Sequence, residues 1–162
     1  MRRPSLLALL FAAVLAVVVP GQAQAQSSGR LVTFDKDEIA IETAAGDRHI
    51  FEVELAVSPE QRAQGLMFRR SMAATAGMLF LFEGSRERAM WMKNTFIPLD
   101  MLFIDQGGVI VRIHERSVPQ SLQAIASGQA VSAVLELNAG TSSRLSIKPG
   151  DRVIHPAFKS GS

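Results

Sequence analysis

Short segments in which apolar and polar residues alternate are the feature that most restricts how this chain can fold. In "DEIAIET" (37–43) isoleucines alternate with polar residues, and "HIFEVELAV" (49–57) repeats the pattern after the turn "AAGD". A period of two places the apolar side chains on one face of a β-strand. The two segments therefore predict a β-hairpin that buries one face and exposes the other to water.

A short helix is predicted to follow this hairpin. Ser58 is a good N-cap, Pro59 suits the first helical position, and Gln61 stands where a capping box requires it. Gly65 predicts the end of the helix, because glycine readily adopts the conformations that end helices. The next residues, "GLMFRR" (65–70), are expected to form a turn that carries apolar side chains.

Further strands are predicted along the rest of the chain. "GMLFLF" (77–82) is so rich in large apolar residues that both of its faces are expected to be covered. A turn at "EGSR" (83–86) is expected to end this strand, and "SLQAIASGQA" (121–130) predicts only a weak helix or a loop. The remaining predicted strands are 87–92, 101–105, 109–115, 131–137 and 152–154.

These elements together predict an α+β protein. The expected architecture is a compact single domain with a curled, mainly antiparallel, barrel-like β-sheet of about seven short strands and one or two short helices. The globular domain is expected over residues 35–157, and residues 26–34 should form a flexible leader and the start of the first strand. Residues 158–162 are expected to form a frayed tail.

Residues 1–25 are predicted to be a secretory signal peptide. Arg2 and Arg3 provide a positive start, residues 6–19 are uninterruptedly apolar, and Ala23 and Ala25 frame a small-residue cleavage site. The apolar run is short for a membrane span, so no stable membrane anchor is expected after cleavage near Ala25. The protein is therefore expected in the periplasm or in the medium.

The composition excludes several classes of function. Without residues 1–25, which hold two of the 17 basic side chains, 15 basic side chains face 15 acidic ones, so nucleic acid is not an expected partner. The absence of cysteine excludes disulfides, thiolate metal sites and a cysteine nucleophile. No phosphate-binding loop, dinucleotide fingerprint or nucleophile elbow is present. No cofactor is predicted, and a monomer is expected.

The methionines raise the question of copper. Apart from Met1, all methionines fall within residues 67–101, and clustered thioethers can hold Cu(I) in an exported protein. Packing against aromatic rings is the simpler interpretation, because methionine fills irregular gaps in cores. The candidate copper ligands are Met67, Met72, Met90 and Met92. The histidines lie too far apart in the sequence to predict a metal site.

The segment "MWMKNTFIPLD" (90–100) contains polar residues that packing alone does not explain. Lys93 and Asn94 end a predicted strand, Asp100 begins the next, and Pro98 stiffens the connection. If Lys93 and Asp100 neutralise each other, the segment is a structural clasp, and if one of them faces a cleft, it is a site. Glu136 raises the same question, because it interrupts an apolar strand.

Three hypotheses for function follow. The first is a domain that binds a small polar or anionic ligand, or an envelope protein, through residues 91–100. Its candidate residues are Trp91, Lys93, Asn94, Thr95 and Asp100, with Arg69 and Glu136 as further lining. The second is a hydrolase or lyase that uses Asp100 or Glu136 with Lys93 as acid and base. The third is a Cu(I)-handling protein that uses the methionines.

Several strings in this sequence resemble a known family. They are "GLMFRR" (65–70), "GMLFLF" (77–82), "MWMKNTFIPLDMLFID" (90–105), "GVI" (108–110) and "VLELNAG" (134–140). In this order and spacing they resemble the domain-of-unknown-function family numbered 192, over roughly residues 35–157. The resemblance implies a compact, β-rich α+β domain and no established activity, substrate or cofactor. Met90 and Asn138 stand where that family often has an aromatic residue and a proline.

Overall fold

Seven β-strands form one sheet that nearly closes into a barrel. The computed structural model describes residues 31–158. Its elements are β1 Asp35–Glu42, β2 Arg48–Ala56, α1 Pro59–Gln64, β3 Ala76–Met90, β4 Leu99–Ile104, β5 Ile110–His114, β6 Ile125–Asn138, α2 Thr141–Arg144 and β7 Arg152–Ile154. The predicted fold class, a barrel-like and mainly antiparallel sheet with two short helices, is confirmed.

The order of the strands explains how the sheet closes. The order is β5-β4-β6-β3-β2-β1-β7, and β2 and β3 are the one parallel pair within the described sheet. A parallel pair needs a crossover, and α1 with the segment after it supplies this connection. The two edge strands also meet, because Ile110 N donates to Asp151 O at 2.9 Å and Val153 N donates to Gly108 O at 2.8 Å.

The interior of the barrel is one apolar cluster to which every strand contributes. Its buried members are Ile39, Ile41, Phe51, Val53, Leu79, Leu102, Ile104, Ile110, Ala133, Leu135, Leu137, Ile147, Val153 and Phe158. Burial of these aliphatic and aromatic side chains is the main force that stabilises a fold without disulfides.

A second apolar cluster covers the outer face of β3, β4 and β6. Its buried members are Ala56, Leu66, Met78, Phe80, Met92, Ile97, Leu99, Met101, Phe103, Ile125, Val131 and Val134. Leu66 comes from the segment after α1, and Met92 and Ile97 come from the connection between β3 and β4. β4 and residues 77–80 of β3 are therefore buried on both faces, as the apolar run at 77–82 predicted.

The predicted helix cap is confirmed in detail. Ser58 Oγ accepts a hydrogen bond from Gln61 N at 3.1 Å, and Gln61 Oε1 accepts one from Ser58 N at 2.9 Å. This reciprocal pair is a capping box, and it satisfies two backbone N–H groups that the first turn leaves free. Gly65 ends the helix with a positive φ of 48°.

Two local predictions were wrong, and both errors concern the long strands β3 and β6. The turn predicted at 83–86 lies inside β3, and the helix or loop predicted at 121–130 is largely the first part of β6. The two strands pair with each other, and the ladder jumps from Leu81–Ala133 to Arg86–Val131. The turn-forming residues therefore make a bulge within the strand, because long-range pairing outweighs their local preference.

Other predictions fall outside the residues that the structure describes. They are the signal peptide at 1–25, most of the leader at 26–34 and nearly all of the frayed tail at 158–162. Within residues 31–158, no helix is long and apolar enough to cross a membrane.

Asp100 at the start of β4 is a fully buried carboxylate whose two oxygens accept three backbone hydrogen bonds. Its Oδ1 accepts from Arg116 N and Gly140 N, each at 3.0 Å, and its Oδ2 accepts from Ser142 N at 2.9 Å. Hydrogen bonds to a charged acceptor are the stronger kind, and here they compensate for the desolvation of the carboxylate. Asp100 therefore ties three separate segments together.

We expect Asp100→Asn to lower the free energy of unfolding by about 2–4 kcal/mol, because the amide nitrogen would face backbone donors and the charge would be lost. Urea unfolding followed by circular dichroism measures the change. Asp47→Asn, on an exposed turn, is the matched control and should unfold at the wild-type urea concentration. An unchanged midpoint for Asp100→Asn would contradict the proposed role of these hydrogen bonds.

Candidate functional site

A cavity of about 230 Å³ opens beside the second apolar cluster, between α1, β3 and the connection from β3 to β4. Its apolar lining consists of Ala63, Gly65, Leu66, Met67, Phe80, Phe82, Ala89, Met90 and Trp91. Its polar lining consists of Arg62, Gln64, Lys93, Thr95 and Glu136. An apolar cavity with a few convergent polar groups is the usual form of a small-molecule site.

Glu136 is the most unusual group in this lining. It lies on the central strand β6, where it pairs with Met78 of β3 on one side and with Met101 of β4 on the other. Both methionines are fully buried, Glu136 is only 4% exposed, and its carboxyl has no hydrogen-bond partner among residues 31–158. This burial raises the pKa of Glu136 to about 8, so that the carboxyl is mostly protonated at neutral pH.

Lys93 and Trp91 contribute a cation and an aromatic ring to the same lining. Lys93 Nζ lies 5.0 Å from the centroid of the Trp91 ring, and Trp91 is about half exposed. The charge of an ammonium group is attracted to the face of an indole, which holds the lysine side chain near the ring. Thr95 is buried in the same segment, and its Oγ1 donates to Lys93 O at 3.3 Å.

Asn94 lies between these residues and fixes the backbone. It adopts the left-handed conformation with φ of 54°, which asparagine tolerates better than most residues. Its carbonyl accepts from Phe68 N at 2.8 Å, and its Nδ2 lies 3.9 Å from Met67 Sδ. Asn94 therefore holds the segment after α1 against the cavity, although its own side chain is not part of the lining.

The structure separates Asp100 from Glu136, the two carboxyl groups that the sequence offered as alternative acid/base partners of Lys93. Asp100 pairs with Leu137 and Glu136 pairs with Met101, so the two carboxyl groups occupy adjacent rungs of one ladder. Side chains on adjacent rungs point to opposite faces of a sheet. Asp100 also forms no ion pair with Lys93 within residues 31–158. Asp100 therefore forms no clasp with Lys93 in the described structure, and it lies outside the cavity that Glu136 lines.

Arg69, a predicted lining residue, is engaged elsewhere. Its guanidinium forms two hydrogen bonds with the Glu54 carboxylate, one of them at 2.7 Å. It also lies 5.9 Å from the centroid of the Phe34 ring, and it does not belong to the cavity lining. Its partner stands 15 residues away in the sequence, in β2, which no local pattern identifies.

The four candidate copper ligands do not share one place. Met67 and Met90 line the cavity, and Met72 packs against the second apolar cluster. Met92 is fully buried, and its Sδ lies 3.1 Å from Ser117 Oγ. Two of the four thioethers therefore belong to the cavity lining, where both also contribute apolar surface.

Two polar lining residues, Arg62 and Gln64, were not among the predicted site residues. Arg62 of α1 donates to Leu81 O at 3.0 Å, and its guanidinium lies 5.5 Å from the centroid of the Phe82 ring. Arg62 and Gln64 come from a helix that the sequence predicted, but nothing in its polar pattern marks the face that meets the cavity. Only the crossover between β2 and β3 brings this helix to β3.

The pKa of Glu136 predicts a pH-dependent stability that Glu136→Gln removes. The folded state keeps this proton up to about pH 8, whereas the unfolded state, in which glutamate has its ordinary pKa of 4.5, releases it at lower pH. Wild-type stability should therefore fall as the pH rises between these values, and it should change no further through this group above them. The difference in unfolding free energy, variant minus wild type, should grow by about 1.4 kcal/mol per pH unit in this window.

Urea unfolding of both proteins over this pH range measures the difference. Glu87→Gln, at an exposed position of β3, is the matched control and should show no such growth. A constant difference between Glu136→Gln and wild type across the range would contradict a buried, protonated Glu136.

Comparisons with known proteins now place the chain in a family. The crystal structure of a Sinorhizobium meliloti 1021 protein, described as a proposed transcription regulator, is 52% identical and covers 79% of this chain and 99% of that one, with a TM-score of 0.77. The crystal structure of a Novosphingobium aromaticivorans DSM 12444 protein of unknown function is 36% identical and covers 74% of this chain and 85% of that one, with a TM-score of 0.71. No curated protein matches this sequence. The sequence profile of the DUF192 family, described as uncharacterized ACR, matches residues 40–155, and the chain therefore belongs to this family.

Proposed function

We propose that the protein is an exported binding protein for a small amphipathic acid. The observation that carries this proposal is the convergence of three unlike groups on one cavity: the buried carboxyl of Glu136, the ammonium of Lys93 and the indole of Trp91. Export is supported by the signal-like residues 1–25. Mass determination of the protein recovered outside the cytoplasm tests this part, and an intact N-terminus there would contradict cleavage near Ala25.

The cavity lining determines the chemistry of the ligand. A protonated carboxyl in an apolar wall can both donate and accept a hydrogen bond, so the ligand should carry a hydroxyl or amide at its inner end. The apolar lining suits an aromatic or aliphatic middle, and Lys93 and Arg62 suit an anionic outer end. At about 230 Å³ the cavity is smaller than most sites for drug-sized molecules, so the ligand is expected to be small.

A role in regulating transcription, which the description of the Sinorhizobium meliloti protein proposes for that protein, has less support in this chain if it requires DNA binding. Beyond residue 25 the basic and acidic side chains are equal in number, whereas a DNA-binding domain usually carries a basic surplus. The mixed character of the cavity fits a small molecule better.

Titration calorimetry with three matched probes tests the proposed ligand class. The probes are 4-hydroxyphenylacetate, phenylacetate and 2-phenylethanol. Phenylacetate lacks the ring hydroxyl of the first probe, and 2-phenylethanol also lacks the negative charge. We expect affinity to fall in this order, because each change removes one partner of a polar group in the lining. No detectable binding of any probe, or equal binding of the charged and neutral ones, would contradict the proposal.

Lys93→Ala should weaken binding of the two acids by roughly fivefold, about 1 kcal/mol, and leave 2-phenylethanol unaffected. The matched control is Lys148→Ala, an exposed lysine that does not line the cavity, and its affinities should equal those of the wild type. Equal losses for acids and alcohol would show that Lys93 acts through the shape of the cavity and not through its charge.

An acid/base enzyme is the second candidate, and the raised pKa of Glu136 favours it. A carboxyl that stays protonated near neutral pH can serve as a general acid, and Lys93 lines the same cavity. The binding and enzyme hypotheses differ in one observable. Chemical conversion of a bound ligand, detected by chromatography and lost in Glu136→Gln, would favour the enzyme over the binding protein.

A further inference from the structure

We infer that three neighbouring loops form a surface that docks reversibly on an anionic phospholipid bilayer. The loops comprise residues 66–70, 91–98 and 116–122, and we call them together the loop surface. This inference concerns a surface beside the cavity, and it does not depend on which ligand the cavity binds.

Exposed apolar side chains are concentrated on the loop surface. Within residues 31–158, nine large hydrophobic residues are exposed, and five of them belong to these three loops. They are Phe68, Trp91, Phe96, Val118 and Leu122, and each is between 39% and 70% exposed. Single exposed apolar residues are common, but a contiguous group of them indicates an interaction site.

Backbone hydrogen bonds show that the three loops are neighbours. Phe68 N donates to Asn94 O at 2.8 Å, which joins the first loop to the second. Gln120 N donates to Thr95 O at 3.0 Å, which joins the third loop to the second. The rings of Phe68 and Phe96 are also in edge contact, with centroids 6.4 Å apart. The exposed residues therefore belong to one continuous surface.

The loop surface is held in a specific backbone conformation. Of the five non-glycine residues with positive φ within residues 31–158, four lie on it: Phe68, Asn94, Arg116 and Gln120. Such a conformation is costly for a residue as bulky as phenylalanine, because its Cβ crowds the backbone there. The Phe68 ring is about half exposed, so packing in the core does not explain why Phe68 keeps this backbone conformation. Fixed loops also lose little entropy on docking.

The charge of the loop surface complements an anionic bilayer. The three loops contain Arg69, Arg70, Lys93 and Arg116, and they contain no acidic residue. Arg69 is paired with Glu54, and Glu115 precedes Arg116, so the surplus of positive charge rests mainly on Arg70 and Lys93. Both of these cations lie over aromatic rings, Arg70 at 5.7 Å from Phe96 and Lys93 at 5.0 Å from Trp91.

This mixture favours a bilayer over a protein partner. Aromatic side chains beside lysine and arginine are typical of groups that lie at the membrane interface, where rings meet the acyl boundary and cations meet phosphates. The central part of a protein–protein interface is instead poor in lysine and in charged residues other than arginine. On the loop surface Arg70 and Lys93 lie over the exposed rings of Phe96 and Trp91. A partner that buried these rings would therefore have to bury the two charges as well.

Fluorescence of Trp91 in vesicles tests the inference, because it is the single tryptophan of the chain. The full chain is mixed with vesicles of equimolar phosphatidylglycerol and phosphatidylcholine whose acyl chains carry bromine, which quenches nearby indoles. Because the apolar run at residues 6–19 can itself bring the full chain to a vesicle, the readout is quenching of Trp91 and not binding. We expect strong quenching with these vesicles and little with pure brominated phosphatidylcholine.

Variants that spare the cavity lining assign the effect to the loop surface. Phe68→Ala with Phe96→Ala, and separately Arg70→Gln, should each raise the lipid concentration for half-maximal quenching, by roughly tenfold for the double variant and threefold for the single one. The matched controls, Ile50→Ala with Ile154→Ala and Arg86→Gln, remove exposed residues elsewhere and should behave as the wild type.

Three results would overturn the inference. They are no quenching of Trp91 in a chain that sediments with the vesicles, equal quenching by anionic and neutral vesicles, and equal effects of loop variants and controls. If Trp91 is unquenched but the loop variants lose binding to a protein from the same envelope, the loop surface serves a protein partner instead. Loss of quenching with intact binding of phenylacetate would separate this inference from the proposed function.

Discussion

The hydrogen bonds of the buried Asp100 carboxylate hold together the end of the molecule that carries the cavity and the loop surface. By accepting hydrogen bonds from three backbone N–H groups, it ties the start of β4 to Arg116 and to the start of α2 at Gly140 and Ser142. Ser117 adds to this junction, because its N and its Oγ both donate to Leu99 O at 2.8 Å. The connection from β3 to β4 begins at the cavity and returns to this junction. Both the cavity lining and the loop surface therefore depend on a buried carboxylate that lies outside the cavity.

The register of β6 is the second constraint, because it decides which chemistry reaches the cavity. Glu136 shares its rungs with Met78 and Met101, on the outer face of the sheet, while Leu135 and Leu137 point into the barrel. A shift of one residue would exchange these faces and bury Glu136 inside the barrel, where nothing could compensate for it. Because of the same alternation, the Asp100 side chain points away from the cavity. Asp100 therefore binds backbone N–H groups, whereas Glu136 on the neighbouring strand lines the cavity.

How much could be predicted from the sequence depends on whether the signal was local. The hairpin of β1 and β2 and the capping box of Ser58 and Gln61 follow from neighbouring residues, and both were predicted. The continuation of β3 through 83–86 follows from pairing with a strand some 50 residues later, which no local pattern contains. The site shows the same division. Trp91, Lys93, Thr95 and Glu136 stood out as polar or aromatic residues among apolar ones, and all of them line the cavity. Arg69 stood out equally, but its partner Glu54 lies in another strand.

The position of Glu136 is difficult to explain by stability. A methionine there would match Met78 and Met101 on the neighbouring strands and would remove the proton that the folded state must keep. A protein that retains an unpaired carboxyl in an apolar wall gives up stability at neutral pH, and such costs are concentrated at functional sites. Lys93 also lines the cavity, but its ammonium lies over the Trp91 ring. Within the described structure it forms no ion pair with Glu136. A hydrogen-bonding group on a bound molecule would supply the partner that the Glu136 carboxyl lacks within the described structure.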